Sequence, residues 1–243
     1  MKKLDPTSFV PLYHQLKEII VENIENNVWN PDDKIPSEHQ LSAQYEVSRN
    51  TAKKAIEDLV QDGILYRVQG TGTFVTRPKI EQSLSGFYSF SQVLKEKGLN
   101  PKDLILKISI EAATQKVAKA LQIPRDAEVI VLQRLRCANE EPIILESSYL
   151  PKNRIENIEK MNTVGETPLY DILANEYQLF VTSAKETFEP VLIREYEGNL
   201  LKVKEGSPAL LLERVAFDRQ RVPVEYCKSI VRGDRCRFYT ELI

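Results

Sequence analysis

Two short helical segments separated by only two residues, inside residues 36–75, constrain this chain more than any other feature. The second opens with Ser48-Arg49-Asn50-Thr51-Ala52-Lys53-Lys54-Ala55-Ile56. Ser48 is a natural N-cap, its hydroxyl suited to accept a backbone N–H of the first turn. Ala52, Ala55, Ile56 and Leu59 recur at helical spacing and form one apolar stripe. Arg49, Lys53 and Lys54 fall on other faces, and no acid stands between Val47 and Ile56. Such a helix packs one side on a core and offers a positive, hydroxyl-rich N-terminal half to an anion. Long donors there suit base edges and phosphates in a major groove. A basic amphipathic helix taken alone is an ordinary solvated surface helix, so its neighbours decide the reading.

Before it, Ser37-Glu38-His39-Gln40-Leu41-Ser42-Ala43-Gln44-Tyr45 reads as a short helix with a capping box, Ser37 answered by Gln40 three residues later. Glu46 and Val47 leave room only for a tight turn, which makes a helix-turn-helix. Asp62-Gly63 closes the second helix, with Gly63 as a left-handed C-terminal residue. Ile64-Leu65-Tyr66-Arg67-Val68 and Thr73-Phe74-Val75-Thr76 then read as strands of a hairpin wing turning at Gln69-Gly70-Thr71-Gly72. The charges over residues 63–80 are Arg67, Arg77 and Lys79, all positive. Gly70-Thr71-Gly72 is not a dinucleotide fingerprint, because Val75 holds the third glycine's place and no βαβ unit surrounds it.

Ile35-Pro36-Ser37-Glu38, Ser48-Arg49-Asn50-Thr51 with Lys53 and Ala55, and Gly70-Thr71-Gly72-Thr73-Phe74-Val75 resemble, in order and spacing, the GntR family of bacterial winged-helix regulators. The resemblance implies double-stranded DNA as partner and Ser37, His39, Ser48, Arg49, Asn50, Thr51, Lys53, Gly70, Thr71 and Gly72 as its contacts. His39 stands where members carry a base-reading arginine, and Ala52-Lys53 replaces valine-arginine. Lysine lacks arginine's bidentate fork and a neutral histidine donates a single hydrogen bond. An operator different from that of typical members is therefore expected.

At 243 residues the chain has length for two modest domains. A formal net charge of −2 excludes indiscriminate coating of nucleic acid and leaves DNA contact to local basic patches. Cys137, Cys227 and Cys236 are odd in number and lack metal-site spacing, so they read as idle thiols of a reducing cytoplasm. No signal peptide and no membrane span is expected. Arg232-Gly233-Asp234 reads as a turn.

In chain order, residues 10–28 carry apolar residues at helical spacing and predict a long first helix. The expected division is a winged helix-turn-helix domain at residues 1–76, a linker at 77–84 and a second domain at 85–243. In the second domain, Leu84-Ser85-Gly86-Phe87-Tyr88-Ser89-Phe90-Ser91 leads into a helix ending at Lys97-Gly98. Strands are expected at residues 104–110, 128–137, 143–150, 182–191, 209–218, 223–232 and 237–242, and helices at 114–121, 167–177 and 193–203. Residues 121–134 echo residues 201–214, and each copy is followed by a polar loop, a proline (Pro142, Pro223) and a second strand. Two such units predict an α+β domain, a mostly antiparallel sheet with helices on one face.

Arg134 and Arg136 lie two apart on a strand and project from one face. Either they are surface or internally salt-bridged arginines, or an anionic ligand sits between them, since guanidinium forks match phosphate and carboxylate. Gly86-Phe87-Tyr88-Ser89-Phe90-Ser91, Arg134-Leu135-Arg136, Leu145-Glu146-Ser147-Ser148-Tyr149-Leu150-Pro151, Leu169-Tyr170-Asp171 and Lys228-Ser229-Ile230-Val231-Arg232-Gly233-Asp234-Arg235 resemble the effector-binding UTRA domain of the HutC subfamily. That resemblance implies a chorismate-lyase-like fold without catalysis and a small polar effector, often a phosphorylated sugar. By position, Phe90, Ser91, Arg134, Arg136 and Tyr170 would surround the anion, with Glu146 and Glu225 on sugar hydroxyls. Pro168 replaces a serine and Val231 a tyrosine of sugar-phosphate binders.

The expectation is a homodimeric regulator, a repressor on a palindromic operator, released by a small anionic metabolite such as an amino-sugar phosphate and needing neither cofactor nor metal. A non-sugar effector, an amino-acid derivative or phosphonate, is the alternative. A lyase-like enzyme is the rival class, and His14 and His39, the chain's two histidines, both lie in the first third, apart from any catalytic constellation. A DNA-binding scaffold without a ligand is the third reading.

Overall fold

The structure, a computed structural model, describes residues 4–84 and 90–242. It divides into two compact units, Met1–Pro78 and Lys79–Ile243. Among the described residues no helix is long and apolar enough to cross a membrane.

The first unit contains α1 (Leu12–Glu25), α2 (Glu38–Gln44), α3 (Arg49–Gln61), β1 (Leu65–Val68) and β2 (Gly72–Val75). Its core is the apolar stripe of α3, Ala52, Ala55, Ile56 and Leu59, packed on Leu16 and Ile20 of α1 and Leu41 of α2. The capping box at α2 is formed: the Ser37 hydroxyl accepts the Gln40 N–H and the Gln40 side-chain oxygen accepts the Ser37 N–H. Ser48 caps α3 by accepting the Thr51 N–H at 3.1 Å. Glu46, with φ 56°, turns the chain between the helices, and Gly63, with φ 73°, closes α3. The wing is wider than the expected hairpin, because the Ile35 N–H bonds the Thr73 carbonyl and Lys34 bridges to Phe74. The first helix is shorter than expected and stops at Glu25, followed by Asn27 with φ 57°.

The second unit begins with β3 (Ile80–Ser83) and α4 (Phe90–Glu96). Then come β4 (Pro101–Ala112), α5 (Gln115–Leu121), β5 (Glu128–Ala138), β6 (Glu141–Pro151), α6 (Leu169–Tyr177), β7 (Ser183–Leu192), α7 (Glu195–Leu201), β8 (Pro208–Phe217), β9 (Pro223–Arg232) and β10 (Cys236–Tyr239). Six strands form one antiparallel sheet in the order β4-β5-β6-β9-β8-β7. That order reads alike from both edges, so the sequence echo is a β-α-β-β unit used twice, with β6 and β9 meeting at the centre. Equivalent helices even end alike, on left-handed Gln122 (φ 55°) and Lys202 (φ 56°).

Two expectations are corrected. Residues 80–83, read as part of a linker, are a strand paired in parallel with β10, with Ile80 and Gln82 buried. Nor are the helices confined to one face. Val129, Val131, Leu135 and Cys137 of β5 pack under α5 and α7, whereas Ile130, Leu132 and Ala138 belong to clusters completed by α6 and α4. Near-continuous burial along β5, β6 and β9 is what a sheet covered on both sides requires. The lead-in Gly86-Phe87-Tyr88-Ser89 lies outside the described residues.

Candidate ligand cavity and nucleic-acid interface

In the first unit, the residues expected to touch DNA sit on adjoining elements, all at exposed positions except the half-buried Thr51 and Gly72. Arg49, Asn50 and Lys53 are exposed on the first turns of α3, and His39 is exposed on α2. Ser48 and Thr51 face each other, hydroxyl to hydroxyl, at 2.8 Å, so both are partly occupied in capping. The Lys53 ammonium lies 3.7 Å from Glu57, a loose exposed pair open to exchange with a phosphate. Lys54 points elsewhere, its ammonium 4.3 Å from the centre of the Tyr13 ring on α1. At the wing, Gly70 and Thr71 are exposed. A Cβ at Gly72 (φ +146°) would stand 2.5 Å from Lys34 Cε, so glycine leaves the end of the Lys34 side chain room to cross the hairpin there. Two contributors escaped the sequence reading: Lys34, and the ion pair from Arg67 of β1 to Glu38 of α2 at 2.8 Å, which ties wing to helix.

In the second unit, a cavity of about 560 Å³ opens on the sheet face between α4 and α6. All seven residues expected at the effector, Phe90, Ser91, Arg134, Arg136, Glu146, Tyr170 and Glu225, line it. Registry explains the convergence: Arg134 faces Glu146 across β5–β6, and Asp103 of β4 faces Arg136. The Arg134 guanidinium donates to Glu146 through Nε at 2.9 Å and through Nη2, and to Asp103 at 3.1 Å. Arg136 donates to Asp103 at 3.3 Å, to Glu146 at 3.4 Å and to the Ser91 hydroxyl at 3.1 Å, and lies 5.2 Å from the Phe90 ring centre. Of the two sequence readings of this arginine pair, internal salt bridging is therefore present, with two carboxylates between two guanidiniums.

Burial alone would raise the Glu146 carboxyl, but Arg134 and Arg136 beside it outweigh that and hold it well below the ordinary carboxylate range. Burial also works against the charge on Arg134, and Glu146, Asp103 and Glu225 overcome it. On the other wall Tyr170 donates to Glu225 at 2.6 Å, and burial, reinforced by Glu225, pushes its phenol well above the usual value. Arg214 is paired with Glu186 of β7. The arrangement can exchange ion pairs and hydrogen bonds with a polar guest. The Glu146 oxygens accept from Arg134, Arg136 and Ser229.

Residues 96–237 match the UTRA domain, and residues 12–75 match the bacterial regulatory proteins of the gntR family. The chain belongs to the GntR family. Its UTRA domain sets it in the HutC subfamily. It is similar to the HTH-type transcriptional repressor NagR of Bacillus subtilis (strain 168), 31% identical over 97% of this chain and 96% of the relative. It is also similar to the probable fructoselysine utilization operon transcriptional repressor of Escherichia coli (strain K12), 30% identical over 97% of this chain and 96% of that one. Among solved structures it resembles PhnF from Mycobacterium smegmatis, with a TM-score of 0.66, 28% identity and coverage of 94% of this chain and 99% of that one. GntR regulators bind DNA and effector ligands, generally as dimers, and are not enzymes.

For this GntR regulator, sequence reasoning missed Asp103, Arg214 and Ser229 in the cavity wall. Arg214 carried a signal, because it stands in the second repeat where Arg134 stands in the first. Asp103 carried none, since only the β4–β5 register brings it to Arg136. Pro168 caps α6 without a side-chain hydrogen bond, and Val231 is buried in the wall.

Proposed function

We propose that this GntR regulator is a cytoplasmic, homodimeric repressor that grips a two-fold operator and lets go when a phosphorylated sugar enters the second unit's cavity. The observation that carries the reading is the pair of buried Arg134 and half-buried Arg136 lining the cavity, held in place by Glu146. Guanidinium forks match phosphate oxygens, and the carboxylate of Glu225 with the phenol of Tyr170 offers the polar wall that a sugar needs. Two-fold operators need two recognition helices about one DNA turn apart, which favours a dimer. A similar repressor whose name refers to fructoselysine utilization supports a sugar-derived effector.

Pro168 and Val231 support a second reading within the same class, an amino-acid derivative or a phosphonate, because both remove hydroxyls from the wall. A thermal-shift screen over sugar phosphates, amino-acid derivatives and phosphonates separates the two. Only a compound that binds the folded state raises the unfolding midpoint, and it should also dissolve the complex with DNA from beside the protein's own gene. Stabilisation by sugar phosphates alone supports the first reading. Failure to retard that DNA at low salt overturns both.

A further inference from the structure

Two carboxylates hold the cavity's arginine pair, and they hold it unequally. Glu146 sits at the centre of the sheet on β6, contacts both guanidiniums and is steadied by Ser229. Asp103 sits on the edge strand β4, with one contact to each guanidinium at 3.1 and 3.3 Å. β4 departs from regular register within three residues, between Ile105 and Lys107. The Asp103 carbonyl also abuts the loop ahead of α6, where a Cβ on Gly165 would come within 3.0 Å of it. That loop leads directly into Pro168, Leu169 and Tyr170 of the cavity wall.

We infer that Asp103 is a built-in competitor for the effector's anion. A phosphate entering the Arg134/Arg136 fork displaces the Asp103 carboxylate and leaves Glu146 where it is. Charge favours a displacement: at the fork two guanidiniums already face two carboxylates, and a third anion beside both would meet like charge at contact distance. Geometry chooses Asp103, which makes one contact to each guanidinium, lacks the paired grip that Glu146 has on Arg134, and has an edge strand behind it. Apparent effector affinity is then lowered by the fraction of molecules in which Asp103 occupies the fork, so this carboxylate sets the effector concentration at which the operator is released. Movement of residue 103 is passed to the loop at Gly165 and so to the first turn of α6. This rests on the anionic effector proposed above.

The test is titration calorimetry on the full chain with inorganic phosphate and with glucose 6-phosphate. Wild type is compared with Asp103→Asn, which keeps the shape, and Asp103→Ser, which removes the competing group altogether. Circular dichroism confirms the fold of each. Each variant should bind both probes on the order of tenfold more tightly, the worth of one charge-assisted hydrogen bond no longer exchanged. Glu176→Gln, which neutralises an exposed carboxylate of α6 paired with Lys160 and outside the cavity lining, should change affinity less than about twofold by the weakness of exposed charge pairs. Unchanged or weaker binding by the Asp103 variants overturns the inference, as does an equal gain in Glu176→Gln. If the wild type and all variants bind neither probe, the anionic-effector reading itself fails.

Discussion

Glu146 carries a negative charge in a place where burial disfavours it, and the two guanidiniums beside it make the charge tolerable. Its folded-state carboxyl lies below the ordinary value of 4.5, so the stability it confers is complete above about that pH and drains away as acid approaches the folded value. Below pH 4.5 the unfolding free energy of the wild type should fall more steeply than that of Glu146→Gln, by about 1.4 kcal/mol per pH unit. Denaturant unfolding at a series of pH values reads the difference directly. Arg134→Ala acts on the same cluster from the other side. It leaves two carboxylates facing one guanidinium, a loss on the order of 3–5 kcal/mol for a broken buried pair. The second unit should become less stable and the response to effector should disappear. Operator binding at low temperature should persist, because the core of the first unit shares no residue with this site. Gel retardation with and without the stabilising compound is the check, and a variant that still responds would refute the assignment.

At the scale of elements, the helix-turn-helix owes its geometry to caps, and the wing to glycine. The side chains of Ser37 and Ser48 fix where α2 and α3 begin, and with Ser48 only four residues beyond Gln44, the last residue of α2, the chain has little choice of path between them. Gly72 does a different task. Its φ of +146° strains any L side chain, and a Cβ there would also push aside the end of the Lys34 side chain. Gly72→Ala should therefore keep the helices, as far-ultraviolet circular dichroism would show, while weakening operator retardation by about tenfold through a displaced Lys34 and a strained wing. These elements were readable because caps, stripes and turn glycines act within a few residues. The pair β3–β10 was not, since Ile80-Glu81-Gln82-Ser83 is too short and polar to announce a strand and its partner lies more than 150 residues away in the chain. The helices on the second sheet face escaped for a related reason: the residues of α4 and α6 are amphipathic whichever face they meet.

The whole molecule is two cores on one chain. The apolar cluster of the first unit ends at Val75, and the four clusters of the second draw only on residues from Ile80 onward. Residues 79–243 expressed alone should therefore fold cooperatively and keep the effector affinity of the full chain, with no DNA retardation. Calorimetry on that fragment tests it, and a fragment that unfolds or loses the ligand would show that the second core needs the first. Such a division suits regulation, because a site in one unit can change with little cost to the other's packing, and coupling between them need amount to only a few kcal/mol. What the amino-acid order determined by itself is the class of the first unit, its DNA-facing residues as candidates, the doubled helix–strand–strand pattern and the arginines set two apart on β5. Periodicity, caps and repeats are local, and local rules suffice for them. Tertiary structure alone decided that Asp103 and Glu146 fill the space between those arginines, that β3 is a strand, and that the sheet is covered on both faces. Each of these depends on strand register and burial across long separations, where neighbours in space are strangers in the chain.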